Sequence, residues 1–446
     1  MKRSSNAWTP ARRKVRTLLR ATGRSYPPGL AAAVLGLAAA ALPPAPLAAQ
    51  SLYGCRDLLS AQTPAVEGRQ GVFFRIDPDL LTYNRFSDEI VAAIATLSAG
   101  LAERGTTLIV VPVPTKALAM PQYLGPDIAT YGYDPALALA IYDDTLARLA
   151  AAGVEAVDAR HALRIAVSGE TTFFATDRRL TNAGLSALAR EVADRLPDAP
   201  AGEAPAGYRT DATGALTLPS QDRLDLQMQC LTPLPEVTTT GFETVAAEPE
   251  AAGAPAPVVV VGTELTGAPD LNFAGFLSEL SGLGVAGRSF APDTVAAMAA
   301  YLTSDDYRRN PPDFLVWEVP SWANLGLRGD QPLRELAVAA RNDCARDLAV
   351  TQAGGDRIRV DLSGIPRDGA LSLLLDTGTD AARADFHFVS AGGQQRTRPV
   401  VRAEGQPRTG RFYMPLTGLW AEGSAHVEIE TVIDPGALPR VALCRG

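Results

Sequence analysis

Histidine and cysteine, on which much enzyme chemistry relies, are scarce in this chain: 446 residues hold three histidines and four cysteines. No CxxC pair and no Cys/His cluster is present, so nothing in the pattern calls for zinc or any other metal or cofactor. Acidic residues are missing from the first fifty positions, where eight bases stand (Lys2, Arg3, Arg12, Arg13, Lys14, Arg16, Arg20 and Arg24). The apolar run that follows, "GLAAAVLGLAAAAL" over 29–42, is short for a membrane span and is closed by "PPAP". A basic stretch, a short apolar run and small residues at Ala48-Ala49 predict a signal peptide over 1–49, cleaved after Ala49, hence export to the periplasm with no stable membrane span.

Positive charge is also in deficit. The whole chain has 41 bases against 49 acids, a net of −8. Removing the eight leader bases leaves 33 against 49, a net of −16. Such a field disfavours nucleic acid and anionic membrane surfaces, and an anionic ligand requires a local basic patch. With 47% hydrophobic and 20% charged residues the composition excludes wholesale disorder. The length implies two domains. Four cysteines in an exported chain imply disulfides, with three pairings open. Cys55–Cys230 with Cys344–Cys444 is the expected set, because each pair then closes one domain.

From about residue 70 to 340, helical and strand patterns alternate. "SDEIVAAIATLSAGLAERG" puts Ile90, Val91, Ile94, Leu97 and Leu101 on one helical face, with Ser87 as N-cap. The β-branched run "TTLIVVPVP" follows, then the helix "PALALAIYDDTLARLAAAG" and a short strand "VEAVDA". "TNAGLSALAREVADRL" predicts a helix capped by Thr181. Further on come the strand "PVVVVG", the helices "LNFAGFLSELSGL" and "TVAAMAAYL", the strand "DFLVWEV" and the helix "PLRELAVAARND". This alternation predicts a three-layer α/β domain on a mostly parallel sheet over 50–343. The Ala/Pro/Gly-rich segments 198–221 and 245–256 read as surface loops. After Cys344, short period-2 runs ("RIRVDL", "ALSLLLD", "DFHFVSA", "RFYMPLT", "AHVEIETVI") predict an all-β sandwich over 344–446.

Ligands of such sheets bind beyond the carboxyl ends of the strands. Two stretches read as strand, polar turn and helix: "FFATDRRLTNAG" and "VVVVGTELTGAPDLN". With "VVPVPTKA", "LNFAGFL", "YLTSDDYRRNPPDFLVWEVP" and a cysteine-bounded β module, they resemble the AlgX/AlgJ-type polysaccharide O-acetyltransferases with an SGNH-hydrolase-like domain. The resemblance covers nearly all of the chain beyond the leader. It implies an SGNH-like fold, a carbohydrate-binding-type β domain, and a place in acetylation or export of an alginate-like acidic exopolysaccharide, alongside other proteins of that process.

The family motif T-D-x-H-W-T stands here as Thr176-Asp177-Arg178-Arg179-Leu180-Thr181, and V-G-T-S as Val261-Gly262-Thr263-Glu264. By resemblance, a serine nucleophile, a histidine base and an orienting aspartate belong at Glu264, Arg179 and Asp177. Only the aspartate is kept. A guanidinium stays protonated near neutral pH and is no general base, and an acyl-glutamate anhydride is a poor acetyl carrier. The substitutions therefore predict a non-catalytic polysaccharide-binding subunit, with an active O-acetyltransferase or esterase using a relocated nucleophile as the competing reading. They also predict a Glu264–Arg179 ion pair sharing its guanidinium with Asp177. Candidate ligand cations are Lys116 and the group Arg402, Arg408 and Arg411, and candidate stacking platforms are Trp322, Tyr413 and Trp420. Trp317 reads as core, His161 as a surface or packing residue, and His387 and His426 as sheet residues.

Overall fold

The computed structural model describes residues 51–83, 86–165, 170–197, 207–247, 255–268, 270–366, 370–402, 408–420, 423–433 and 438–445. The predicted leader lies outside them. The chain opens with a short antiparallel pair, β1 (Ala65–Glu67) and β2 (Phe73–Arg75). Next come α1 (Asp88–Ala102), β3 (Thr107–Val113), α2 (Lys116–Ala119), α3 (Pro135–Ala151), β4 (Glu155–Ala156), α4 (Ala159–Ile165) and α5 (Asn182–Ala193). A hairpin follows, β5 (Tyr208–Thr217) and β6 (Thr238–Ala246), with α6 (Gln221–Gln227) between its strands. The α/β part closes with β7 (Val258–Gly262), α7 (Glu264–Gly267), α8 (Phe273–Ser281), β8 (Val285–Phe290), α9 (Thr294–Leu302), α10 (Asp305–Arg309), β9 (Phe314–Pro320) and α11 (Gln331–Arg341).

Five of these strands form one parallel sheet in the order β4-β3-β9-β7-β8. Its central strands β3, β7 and β9 are almost wholly buried and largely apolar because helices cover both faces. Ile109, Val111, Val258 and Val260 face one core with α5 and α8, while Leu108, Val110, Val259 and Val261 face another with α1, α9 and α11. Local signals set the helix starts as expected. Ser87 accepts from the Ile90 N–H, and Thr181 from the Gly184 N–H.

The remaining strands are β10 (Arg346–Asp347), β11 (Val350–Gly354), β12 (Arg357–Asp361), β13 (Leu371–Asp376), β14 (Arg383–Ser390), β15 (Gln395–Val401), β16 (Arg411–Pro415), β17 (Ser424–Thr431) and β18 (Arg440–Arg445). They make two antiparallel sheets, β10-β18-β13-β16 and β11-β12-β17-β14-β15. Phe386 and Phe388 of one sheet pack with Leu373, Leu375, Phe412 and Met414 of the other. His387 and His426 lie in β14 and β17, as expected. Both expected disulfides are present, Cys55–Cys230 and Cys344–Cys444.

Two expectations fail. The segment 198–221 is not wholly loop: Tyr208–Thr217 pairs along its length with Thr238–Ala246, and Val245 and Ala246 likewise belong to a strand. Its alternation was invisible because most β5 side chains are exposed, so no apolar face marks the strand. The stretch around Phe173 is likewise no strand of the sheet but a tight turn closed by one isolated bridge, Phe173 to Leu180.

The sandwich also shares a core with the α/β part. Leu374, Tyr413, Ala442 and Cys444 pack with Leu333, Leu336 and Ala340 of α11. At this seam Arg402 donates to both carboxylate oxygens of Glu335 (3.0 and 2.6 Å), and the Tyr413 N–H donates to the same carboxylate at 3.1 Å. The side chains of both ions are almost wholly buried, at 9% and 3% exposure. Removing one member of such a pair strands the other charge. Glu335→Ala is therefore expected to destabilise the protein by roughly 3 to 5 kcal/mol in denaturant unfolding.

Candidate functional site

The carboxyl ends of β3, β7 and β9 lie side by side, and three turns meet there. After β3, Thr115 caps α2 and the chain delivers Lys116 inward. Lys116 is 1% exposed. Its ammonium donates to the carbonyls of Phe174 (2.6 Å), Ala175 (3.0 Å) and Asp177 (3.3 Å). Burial pulls it down to about 8. The expectation that Lys116 binds a polyanion thus fails on geometry: its three protons are committed to the backbone of the 173–180 turn.

That turn carries Asp177, Arg178 and Arg179. Arg179 grips Asp177 with two side-chain bonds (Nε to Oδ1 at 2.9 Å, Nη2 to Oδ2 at 2.8 Å), and its backbone N–H also donates to Oδ1 at 2.8 Å. Burial works to raise the Asp177 carboxyl, but the bonds from Arg179 and Ser220 outweigh it and hold the group below the usual carboxylate range. Arg179 also donates to the Pro219 carbonyl at 2.8 Å. Behind the turn, Arg75 pairs with Asp79 and reaches Asp222, and Asp222 accepts from the Arg178 N–H at 3.1 Å.

The β7 turn is held from the opposite side. Glu318 of β9 has no exposed surface. It accepts from the Thr263 N–H (2.7 Å), the Thr263 hydroxyl (2.8 Å) and the Thr266 hydroxyl (3.2 Å). Residue 262 must be glycine, since a Cβ there would lie 2.6 Å from the Glu318 Cβ. Burial pushes the Glu318 carboxyl up to about 7, opposed by the Thr263 and Thr266 bonds and aided by the charge of Glu264.

The turns meet through an ion pair, but not the expected one. Glu264 contacts Arg178, Nη2 to Oε1 at 2.5 Å, with both side chains about half exposed (49% and 48%). Arg179 is occupied by Asp177, as expected for that half of the arrangement, so its neighbour meets the glutamate. The site thus holds two adjoining ion pairs, Arg178–Glu264 and Arg179–Asp177.

The other sequence candidates divide sharply. Tyr413 is fully buried and is not a stacking platform. Arg402 is taken by Glu335, while Arg411 is paired with Asp376 and Asp305 and donates to the Thr303 carbonyl. Neither is a free cation, so the expected cluster reduces to the exposed Arg408. Trp322 is half-buried against the first core, and Trp317 is core, as expected. Trp420 keeps a partly open ring with the Arg396 guanidinium 5.0 Å from its centroid.

Beside it, a groove of about 750 Å3 runs between α9, α11 and the loop 324–330 on one wall and β15 with the loop after β16 on the other. Arg398 lines it, donating to the carbonyls of Pro415, Thr417 and Gly418, with no carboxylate partner among the described residues. Sequence reading missed Glu318, Asp222 and Arg398. Glu318 had a signal, being the lone acid in an otherwise apolar strand, where a charge needs internal partners.

A family model described as an SGNH hydrolase-like domain of acetyltransferase AlgX matches residues 65–321, and the chain belongs to that family. It is 29% identical over 277 residues to a probable alginate O-acetylase AlgJ of Pseudomonas fluorescens, covering 57% of this chain and 68% of that one. It is also 29% identical over 355 residues to the alginate biosynthesis protein AlgX of Pseudomonas aeruginosa, covering 76% and 73%. The solved structure of Pseudomonas aeruginosa AlgX superposes with a TM-score of 0.73 at 23% identity, over 89% of this chain and 98% of that one, a likeness of fold.

Glu318 gives the fold a pH signature. Its folded value, about 7, lies above the ordinary 4.5, so the native state holds a proton that the unfolded chain releases. This contribution to stability is complete below about 4.5 and is lost as pH rises through about 7. Glu318→Gln is expected to remove that downward slope in denaturant midpoints measured from pH 4.5 to 7.5. A slope unchanged in the variant assigns it to other groups.

Proposed function

We propose that this chain is an exported, catalytically degenerate member of its family that binds an acidic, alginate-like exopolysaccharide in the periplasm during acetylation or export of the polymer. The observation that carries the proposal is the pair of salt bridges, Arg178–Glu264 and Arg179–Asp177, which ties up the residues that the motif resemblance sets at the nucleophile and base positions. Two disulfides fit an oxidising compartment. No helix among the described residues is long and apolar enough to cross a membrane. The alginate context comes from the names of the relatives, AlgJ and AlgX.

For binding, the support lies in the sandwich rather than in the cations first expected. Arg396 lies over the Trp420 ring and Arg398 lines the groove, and neither forms an ion pair among the described residues. A guanidinium beside an indole suits a uronate chain, the carboxylate meeting the cation and the sugar ring the aromatic face. With a net charge of −16 expected for the cleaved chain, attraction must be local and therefore salt-screened.

One observation favours the competing reading of a relocated nucleophile. The Thr263 hydroxyl donates to Glu318 at 2.8 Å, and a carboxyl raised to about 7 is a competent base. Against it, Thr263 is 5% exposed and its oxygen also accepts from the Leu265 N–H, so a substrate has little access.

Titration calorimetry with polymannuronate should show binding that weakens as salt rises. Joint replacement of Arg396 and Arg398 by alanine should lower affinity about fivefold to tenfold. Salt-independent binding, or binding indifferent to those replacements, would place the ligand elsewhere. The protein should also hydrolyse p-nitrophenyl acetate no faster than buffer. A burst phase or an acetyl adduct that disappears in Thr263→Val would establish the relocated nucleophile instead.

A further inference from the structure

The salt bridges of the site are not equivalent. Arg75–Asp79 and Arg179–Asp177 are buried and two-pronged, with carboxylate side chains only 4% exposed. Arg178–Glu264 is half open to solvent and rests on the Arg178 Nη2 to Glu264 Oε1 contact. Glu264 has no other hydrogen-bond partner among the described residues, so nothing but this arginine holds its carboxylate in place. The same carboxylate also acts electrostatically on Arg179. One acidic group thus sits in the field of two adjacent guanidiniums, at the sheet end where ligands of parallel α/β folds collect.

We propose that Arg178, backed by Arg179, is a binding subsite for a ligand carboxylate, and that Glu264 occupies it as an internal stand-in that the ligand displaces. The inference rests on the reading of an acidic polysaccharide as ligand, and the group it assigns to the subsite is the carboxylate of a uronate residue. The arginine side of the subsite is prebuilt. Asp222 pins the Arg178 N–H, and Lys116 ties down the carbonyls of Phe174, Ala175 and Asp177, so the backbone that carries Arg178 is fixed before a ligand arrives. The occupant is easily exchanged. An ion pair this exposed contributes little net free energy, so an incoming carboxylate competes with Glu264 on nearly equal terms. Glu318 behind the same turn adds like-charge repulsion against Glu264 whenever it is ionised. The position that holds a nucleophile in an active relative by resemblance becomes here a gate for acidic sugar.

The test is titration calorimetry of the exported protein at low salt with a mannuronate trisaccharide and, in parallel, its uncharged methyl ester. Glu264→Gln vacates the subsite while keeping the side-chain shape, and it should raise affinity for the acid about threefold to tenfold and leave the ester unchanged. Combining it with Arg178→Gln should cancel the gain. Trisaccharide binding seen only in Glu264→Gln would also support the proposal, since the wild-type subsite would then be fully self-occupied. An unchanged or lowered affinity in Glu264→Gln, or a gain that persists in the double variant, would overturn it. The sandwich reading is scored separately: long-polymer binding that depends on Arg396 and Arg398 survives the failure of this subsite, and its own loss leaves the trisaccharide result to be judged on its terms.

Discussion

A carboxylate sealed away from water must find its partners inside the protein, and at the ligand end of this sheet that requirement falls on Glu318. Its acceptors are filled by the backbone N–H and hydroxyl of Thr263 and the hydroxyl of Thr266, which sets the path of the chain leaving β7. Glycine at 262 follows from the closeness of β9, and the outward position of Glu264 follows from the turn. Lys116 performs the complementary task for the 173–180 turn, a buried ammonium satisfied by carbonyls where Glu318 is a buried carboxyl satisfied by donors. Each turn is thereby fixed by a buried ionisable side chain, one a base and the other an acid, and their tips come together without a direct hydrogen bond between the two clamps.

How much of this was legible in the residues depends on what each residue type reports. Apolar runs such as "VVVV" over 258–261 announce a strand covered on both faces, and the five-stranded parallel sheet follows the expected alternation. Caps are equally readable, as Ser87 and Thr181 show, because their side-chain oxygens have one obvious use at a helix start. The β5–β6 hairpin escaped notice since its faces are mostly solvated and carry threonine, alanine and glycine rather than an apolar stripe. Its stabilising features, such as the Thr210–Thr244 hydroxyl pair at 2.8 Å, have no periodic trace.

The site was legible in position but not in partnership. Sequence spacing located both turns, yet it could not tell which of two adjacent arginines would meet Glu264. That choice is made by Asp177, which takes Arg179 into a buried two-pronged pair and leaves Arg178 outside. Lys116 misled for a related reason. It is the single lysine beyond residue 14, and a long charged side chain beside a polar turn suggests a ligand contact. Only the depth of the position reveals that all three of its protons face main-chain carbonyls. Arginines 402 and 411 were deceptive in the same way, their acids being far off in sequence: Glu335 lies on α11, and Asp305 on α10.

The strand order also governs when the molecule can assemble. β9 lies between β3 and β7, although it is synthesised after both, and roughly two hundred positions separate it from β3. Without β9 the pairings left in the sheet are β4 with β3 and β7 with β8, and no ladder joins the two pairs. β9 both joins the two pairs and carries Glu318 to Thr263, so the sheet's continuity and the turn's geometry depend on the same strand. A chain interrupted before residue 314 would lack both, and its bare apolar edges would invite pairing with other chains.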